Sequence, residues 1–152
     1  MVVYDLFNHW DTELHPATLS CINSLNEEQL YWKPKGWHSS VHDLTSHMCC
    51  VEWVWIYRNL LERESWDERW KTKHFESIQD VLVYWNEIHK ETINLLTNTP
   101  INQLNDFHKM PYKHCPEVSL LWLINHVIEH EIHHRGQIIM LMRMMGVEPP
   151  KI

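Results

Sequence analysis

Apolar residues recur along most of the chain at the three- and four-residue spacing of amphipathic helices. Pro16 should kink the first helix or mark its midpoint. Ser40 and Asp43 have the spacing of a capping box at the start of the second helix, and Gly146 should end the last. The pattern predicts four long helices, which run from about Val3 to Leu25, from Ser40 to about Glu64, from about Ser77 to Leu96 and from about Ser119 to Met145.

The connections between these helices are polar or rich in proline. The stretch "NEEQLYWKPKGWHSS" is interpreted as a turn and loop, and "NTPINQLNDFHKMPYKHCPEV" as irregular because Pro100, Pro111 and Pro116 interrupt it. The chain has only three glycines, which argues against a fold built on tight hairpins. We find no repeat. The expected fold is therefore a single all-α domain over residues 1–152, a four-helix bundle with long crossover connections.

Composition excludes several classes of protein. The formal net charge is −7 with 13 Lys and Arg residues, so the chain lacks the basic surface that nucleic-acid binding requires. No apolar run approaches the roughly 20 residues of a membrane helix, and the N-terminus does not have the pattern of a signal peptide. We expect a cytoplasmic protein. Its four cysteines show no C-x-x-C pair and should be reduced: Cys21, Cys49, Cys50 and Cys115.

The unusual feature is the content of 13 histidines, four of which lie in "NHVIEHEIHHRGQ", residues 125–137. At about 100° per residue, the apolar stripe of this helix is centred near 90° from His130. His134 lies at about 40°, inside the edge of the stripe, whereas His126 and His133 point away. His130 and His134 are therefore an i, i+4 pair whose rings can converge on one metal ion.

A third ligand is predicted on the second helix. By the same geometry, His47 lies near the middle of a core-facing stripe, and His42 points away. Burial of an unpaired imidazole costs about 1–3 kcal/mol, and a metal shared with His130 and His134 would remove that cost. A single histidine of this kind is more often a hydrogen-bonded core residue, which is our interpretation of His89.

Together, His47, His130 and His134 predict a site for a divalent metal ion. Zinc or nickel fits imidazole ligands best, with iron, manganese or cobalt as further candidates. Three neutral imidazoles leave the charge of the ion intact and one coordination position open, which is typical of catalytic rather than structural zinc.

Glu131 falls inside the apolar stripe, where a carboxylate is costly unless it is paired. It could orient a ligand imidazole, form a buried pair with an arginine such as Arg58, or act as a general base. The segment from His130 to His134 also matches the H-E-x-x-H motif of zinc proteases. However, Gln137 and Met140 stand where the longer metzincin motif has glycine and histidine, and no strand is predicted to hold a peptide. Peptidase activity is therefore not expected.

The two motif regions, "LNEEQLYWKPKGWHSSVHDLTSHMCCVEWVW" and "NHVIEHEIHHRGQIIMLMRMMGVEPP", resemble the DinB/YfiT-like superfamily. The resemblance rests on a W-x-P loop, a histidine inside the second helix and an H-x-x-x-H-R-G-Q-type segment on the last helix. It implies a four-helix bundle, often a homodimer, with a divalent metal held by three histidines that correspond to His47, His130 and His134. The superfamily includes thiol-dependent S-transferases and isomerases beside many members of unknown activity.

Three functional hypotheses follow. The first is a bacillithiol-type S-transferase, in which the metal activates a low-molecular-weight thiol and tryptophans and methionines hold an apolar electrophile. The second is a hydrolase that uses metal-bound water, and the third is a non-catalytic bundle that the metal stabilises. A homodimer could form through an apolar face of the second helix made by Trp53, Ile56 and Leu60, unless the segment "SWDERW" covers that face.

Overall fold

The computed structural model describes residues 1–62, 75 and 77–151, most of which are helical. The first helical rod consists of helix α1 (Tyr4–His9), a π-helical turn (Trp10–Leu14) and helix α2 (His15–Asn23). Pro16 stands in the first turn of α2 and has no N–H to donate, so the α-helical ladder is interrupted where the π-helical turn ends. The predicted irregularity of the first helix at Pro16 is thus observed.

Three further long helical segments follow. Their bounds are α4 (Val41–Glu52), which continues as a π-helical segment (Trp53–Arg58), α5 (Ile78–Asn98) and α6 (Leu120–Met144). Ser40 and Asp43 form the predicted capping box, Ser77 and Ser119 cap α5 and α6, and α6 ends before Gly146 with its φ of 74°. The second segment ends earlier than predicted, and "SWDERW" lies outside the described residues.

A short helix and a β-hairpin were not expected. Helix α3 (Glu27–Tyr31) lies inside the stretch interpreted as a loop, and its signal was present, because Asn26 and Gln29 form a capping box. Strands β1 (Phe107–Tyr112) and β2 (Cys115–Ser119) form an antiparallel hairpin in the stretch interpreted as irregular. The chain is therefore mostly helical, as predicted, but it is not all-α.

Prolines concealed the hairpin from sequence analysis. Pro111 lies in β1, where the register shifts between Lys109 and Tyr112, and Pro116 lies in β2. A sheet of two strands consists only of edge strands, so each proline can face away from the partner without breaking a ladder bond. The hairpin packs its inward residues, Met110 and Val118, against the N-terminal end of α6.

The core of the described residues has two apolar clusters. One lies around α2, α3 and the C-terminal half of α6 and includes Trp85 of α5. The other lies around α1, the hairpin and the N-terminal half of α6 and includes Trp10. Trp53 and Ile56 are fully buried within the chain, so they do not form the exposed apolar face on which we based a dimer interface. Among the described helices, none has the combined length and apolarity needed to cross a membrane.

Candidate metal centre

The side chains of His47 from α4 and of His130 and His134 from α6 meet at the surface where the two helices pack together. One ring nitrogen from each histidine lies within 4.8 Å of those of the other two. The Nε2 atoms of His47 and His130 are 2.8 Å apart, and the centre of the His47 ring lies 4.9 Å from that of each other ring. Among the described residues, this is the group of potential metal ligands close enough to share one ion.

The structure corrects the predicted orientation of α4. His47 is exposed rather than buried, whereas His42, expected to point away, is buried and stacks on Tyr31 of α3. The prediction included residues beyond Glu52, where the helix is π-helical and the 100° step no longer applies. The buried residues of α4 alone are centred about 130° from His47. On α6, by contrast, the predicted positions of His130 and His134 at the edge of the buried face are observed.

Gln137 fixes the proton of one ring. Nδ1 of His134 lies 2.6 Å from Oε1 of Gln137, an acceptor, so Nδ1 carries the proton and donates it there. In the neutral ring, Nε2 is then left with a lone pair, which is the form that binds a metal ion. From the sequence, Gln137 was considered only as a departure from a protease motif. Its i+3 spacing from His134 would have indicated the hydrogen bond between the two side chains.

Burial favours the neutral form of His130 and His134. Burial, followed by repulsion from the other histidines, lowers the pKa of His130 to about 4. Burial also lowers the pKa of His134, although its bond to Gln137 acts in the opposite direction. Metal binding requires neutral imidazole, so at neutral pH these two rings need not lose a proton to accept an ion.

The distances come close to those around a small divalent ion. Four nitrogen ligands at the usual zinc distance of about 2.0–2.1 Å lie about 3.3 Å from one another in a tetrahedron. The 2.8 Å between the Nε2 atoms of His47 and His130 is shorter than this, and the limit of 4.8 Å on the separations within the group is longer. Rotation of the surface side chains can adjust such distances, so the three histidines suit a zinc-type ion with one position left open.

A cavity opens beside the three histidines. Its volume is about 310 Å³, near the lower limit for small-molecule sites, and both His47 and His134 line it. The Oγ of Ser46, also in its wall, is buried and has no hydrogen-bond partner among the described residues. Cys50 lines the same wall, and burial raises the pKa of its thiol to about 11, so it remains protonated. The cavity continues past Leu44 and His134 towards the loop that contains Trp37.

These residues lie on a chain that matches the DinB family over residues 1–152. The chain belongs to the DinB family. The resemblance in the two sequence motifs is thereby confirmed. No curated protein matches this DinB-family chain.

Two solved structures have a similar fold. One is a DinB-like protein from Bacillus cereus ATCC 10987, with 17% identity, a TM-score of 0.76 and coverage of 99% of this chain and 97% of that one. The other is the DinB-like protein YjoA from Bacillus subtilis, with 19% identity, a TM-score of 0.66 and coverage of 95% and 94%. At these identities the likeness supports the fold of this DinB-family chain and not its activity.

The two other histidines of the α6 motif are outside the three-histidine group. His133 is exposed, with its ring centre 5.0 Å from that of His134. His126 stacks on Trp122 at 4.8 Å with an angle of 7°, and Trp55 meets both rings edge-on. The ring centre of His126 lies 5.6 Å from that of His130. Trp55, Trp122 and His126 therefore form an aromatic wall next to the candidate metal site.

Glu131 faces the interior of this DinB-family protein, on another side of α6 from His134. It is 3% exposed, and its two oxygen atoms accept hydrogen bonds from Nε1 of Trp10 at 2.8 Å and from Nδ1 of His15 at 3.1 Å. The suggested pair with Arg58 is wrong, since the two oxygens of Glu131 are bonded to Trp10 and His15 instead. Burial raises the pKa of Glu131, but the hydrogen bond and charge of His15 outweigh this and hold the pKa below its usual value.

Proposed function

We propose that this chain is a metal-dependent S-transferase that joins a low-molecular-weight thiol, of the bacillithiol type, to an electrophile. The observation that carries the proposal is the convergence of the ring nitrogens of His47, His130 and His134 within 4.8 Å beside a cavity that two of them line. A divalent metal with three neutral imidazole ligands supplies an open position and positive charge that lower the pKa of a thiol placed there. We propose zinc or nickel for this role.

The side chains around the histidines suit the two substrates. The cavity offers the hydroxyl of Ser46 and the thiol of Cys50 as hydrogen-bond partners for a polar thiol compound. The wall formed by Trp55, Trp122 and His126 offers flat apolar surfaces for the electrophile.

In the reaction, the thiol proton passes to solvent and the sulfur attacks the electrophilic carbon. A sulfur–carbon bond forms as the bond from carbon to the leaving group breaks, and that group departs with the electron pair. The protonated Cys50 is a poor competitor for the electrophile, because the thiol rather than the thiolate is its stable form.

The metal content of purified protein tests whether the three histidines bind a metal ion. We expect the purified wild type to bind one zinc or nickel ion per chain, and His47→Ala, His130→Ala and His134→Ala to lose it. His133→Ala is the matched control, since it removes an exposed histidine of the same helix that lies outside the group. Elemental analysis after dialysis measures the ratio. Metal retained at full stoichiometry in all three ligand variants would refute the site.

Activity is tested separately with a panel of thiols. Wild type loaded with metal is mixed with bacillithiol, glutathione or coenzyme A and a chromogenic aryl halide, and the thioether product is followed by absorbance. A metal-dependent rate that His130→Ala loses and His133→Ala keeps supports the transferase. Turnover of esters without any thiol would indicate a hydrolase instead, and metal-dependent stability with neither reaction would indicate a non-catalytic protein. A cytoplasmic setting, in which bacillithiol is reduced, and assembly as a homodimer belong to the same proposal.

A further inference from the structure

The environment of Glu131 has a counterpart elsewhere in the core. Glu52 of α4 is fully buried, and it accepts hydrogen bonds from Nε1 of Trp85 at 2.7 Å and from Nδ1 of His89 at 3.0 Å. The corresponding distances at Glu131 are 2.8 Å and 3.1 Å, again from one tryptophan and one histidine. We call these two groups the carboxylate clamps: Trp10, His15 and Glu131 form the first, and Trp85, His89 and Glu52 the second.

A short repeated pattern of tryptophan, histidine and threonine underlies the two clamps, and it was not recognised from the sequence. Trp85, His89 and Thr92 of α5 correspond to Trp10, His15 and Thr18 of the first rod, and each threonine hydroxyl also lowers the pKa of the clamped carboxylate. The spacing from tryptophan to histidine is four residues in α5 but five in the first rod. The π-helical turn at Trp10–Leu14 accommodates the extra residue, because a π-helix brings residues five apart onto one face.

The clamps interlock at the centre of the protein. The rings of His15 and His89 stack at 4.0 Å with an angle of 18°. The indole of each clamp meets the histidine of the other edge-on, at 5.0 Å for Trp10 and His89 and 4.7 Å for Trp85 and His15. One polar layer therefore connects all four long helical segments between the two apolar clusters.

This layer is not itself a second metal site. Each carboxylate oxygen already accepts an N–H, so protein donors use part of the acceptor capacity of both carboxylates. Among the described residues, only His47, His130 and His134 bring three potential ligand atoms within 4.8 Å of one another. The clamps are thus a means of holding helices.

Both helices that carry the candidate ligands are held in this way. Glu131 directly follows His130 on α6, and Glu52 lies five residues after His47 on α4. An imidazole nitrogen stands about 5–6 Å from the helix axis, so a rotation of either helix by about 10° would move it by about 1 Å. That is about twice the displacement that a preorganised site tolerates.

We propose that the two carboxylate clamps are positioning devices that fix the rotation of α4 and α6 and thereby bring His47 into register with His130 and His134. The inference rests on the proposed metal-dependent function, since it assigns the clamps a role in binding the metal. Glu52 is the decisive residue, because it contacts none of the three ligands and lies on a different face of α4 from His47.

Metal affinity of the folded protein tests this role. Glu52→Gln and Glu131→Gln keep the size of the side chain but replace one acceptor oxygen with a donor, so that the full set of clamp bonds cannot form. We expect each to weaken Zn²⁺ binding by about tenfold or more, the usual effect of losing a group that orients ligands. We also expect a changed absorption spectrum for bound Co²⁺, which reports ligand geometry. Competition with a chromogenic chelator measures the affinity.

Thr45→Val is the matched control for a merely structural effect. Thr45 is fully buried on the same helix, and its hydroxyl donates to the carbonyl of Val41 rather than to a clamp carboxylate. We expect this variant to lose stability and to keep wild-type metal affinity and Co²⁺ spectrum. If Glu52→Gln does not fold, Trp85→Phe, which removes the indole N–H together with part of the ring, serves in its place and should also weaken binding.

The outcomes separate the two proposals. Failure of the wild type to bind Zn²⁺ or Co²⁺ would refute the metal-dependent function and this inference with it. Binding by the wild type that is unchanged in folded Glu52→Gln and Glu131→Gln would refute the positioning role alone, and so would an equal loss of affinity in Thr45→Val.

Discussion

Two clusters of histidines in this protein are built on opposite principles. The three-histidine group is at the surface, contains no carboxylate, and its members His130 and His134 have lowered pKa values. The clamp layer is buried, and its two histidines bind two carboxylates. Burial lowers the pKa of His89, but the charge and hydrogen bond of Glu52 outweigh this and raise it. The neutral form of histidine is thus favoured at His130 and His134, and the cation at His89.

The difference follows from what each cluster must do. A metal ion needs lone pairs, so protons on the ligands compete with it. A buried carboxylate needs N–H donors and positive charge, so protons on its partners stabilise it. In this chain the carboxylates and their partners join different helical segments in the interior, whereas the three-histidine group lies at the surface.

The largest expected difference between the clusters is in stability. Removal of one partner from a buried ion pair costs about 3–5 kcal/mol, because the remaining charge is left uncompensated. We therefore expect Glu52→Ala to lower the free energy of unfolding by about that amount in metal-free protein. His47→Ala, at an exposed position, should change it by no more than about 0.5 kcal/mol. Chemical denaturation followed by circular dichroism measures the free energy of unfolding of both variants. Equal losses in Glu52→Ala and His47→Ala would contradict the difference expected between the two clusters.

Metal should stabilise the protein through the first cluster only. A single site saturated with free metal at about 100 times its dissociation constant adds about 2.7 kcal/mol to the free energy of unfolding. We expect this gain in wild type and in His133→Ala, and none in His130→Ala. Thermal unfolding with and without added Zn²⁺ measures it. A gain of the same size in His130→Ala would place the bound metal elsewhere.

Sequence alone predicted the positions of His130 and His134 on α6, because that helix is regular over 25 residues and a constant step of 100° per residue assigns its faces correctly. The same 100° step failed on α4, because a π-helical segment begins after Glu52. Apolar residues of that segment were counted in the buried stripe, so His47 was wrongly placed within it. His47 was nevertheless selected, through the resemblance and through an orientation that proved wrong. The helix ends were readable from Ser40 and Gly146, because caps are local.

The partners of Glu131 were not predictable in the same way. Trp10 and His15 are 121 and 116 residues away in sequence, and only the packing of the rods brings them together. The periodicity indicated that the carboxylate of Glu131 is buried, and a buried carboxylate needs a partner. The suggested partner, Arg58, is not one of the groups that bond to it. The repeated tryptophan and histidine spacing was visible in principle. A five-residue spacing does not fit an α-helix, so it is recognisable only once the π-helical turn is known.

Loss of the Gln137 side chain should weaken metal binding without changing the stability of the metal-free protein. Gln137→Leu removes the acceptor that holds the proton of His134 on Nδ1, and we expect metal affinity to fall by about tenfold, since the ring can then bind with the wrong tautomer. The free energy of unfolding without metal should change by less than about 0.5 kcal/mol, because Gln137 is only partly buried. Chelator competition and chemical denaturation give the two values. Gln103→Leu, a glutamine outside this site, is the control and should leave affinity unchanged.

The smallest effect concerns pH and comes from the clamp layer. The pKa of Glu52 lies below its ordinary 4.5 in the folded protein, since His89 outweighs the effect of burial, so its contribution is present above pH 4.5 and lost as pH falls through the folded value. The pKa of His89 lies above 6.5, so its contribution is complete below pH 6.5 and lost as pH rises through the folded value. Both contributions are therefore present between pH 4.5 and 6.5.

Metal-free protein should accordingly lose stability as pH rises above 6.5, by about 1.4 kcal/mol for each unit by which the pKa of His89 is raised. Denaturation curves at a series of pH values measure this slope, and His89→Gln, which has no titrating group, should remove it. A slope that persists unchanged in His89→Gln would assign the titration to another group. In that case His89 would be neutral like His130, and the contrast between the two histidine clusters would reduce to one of burial alone.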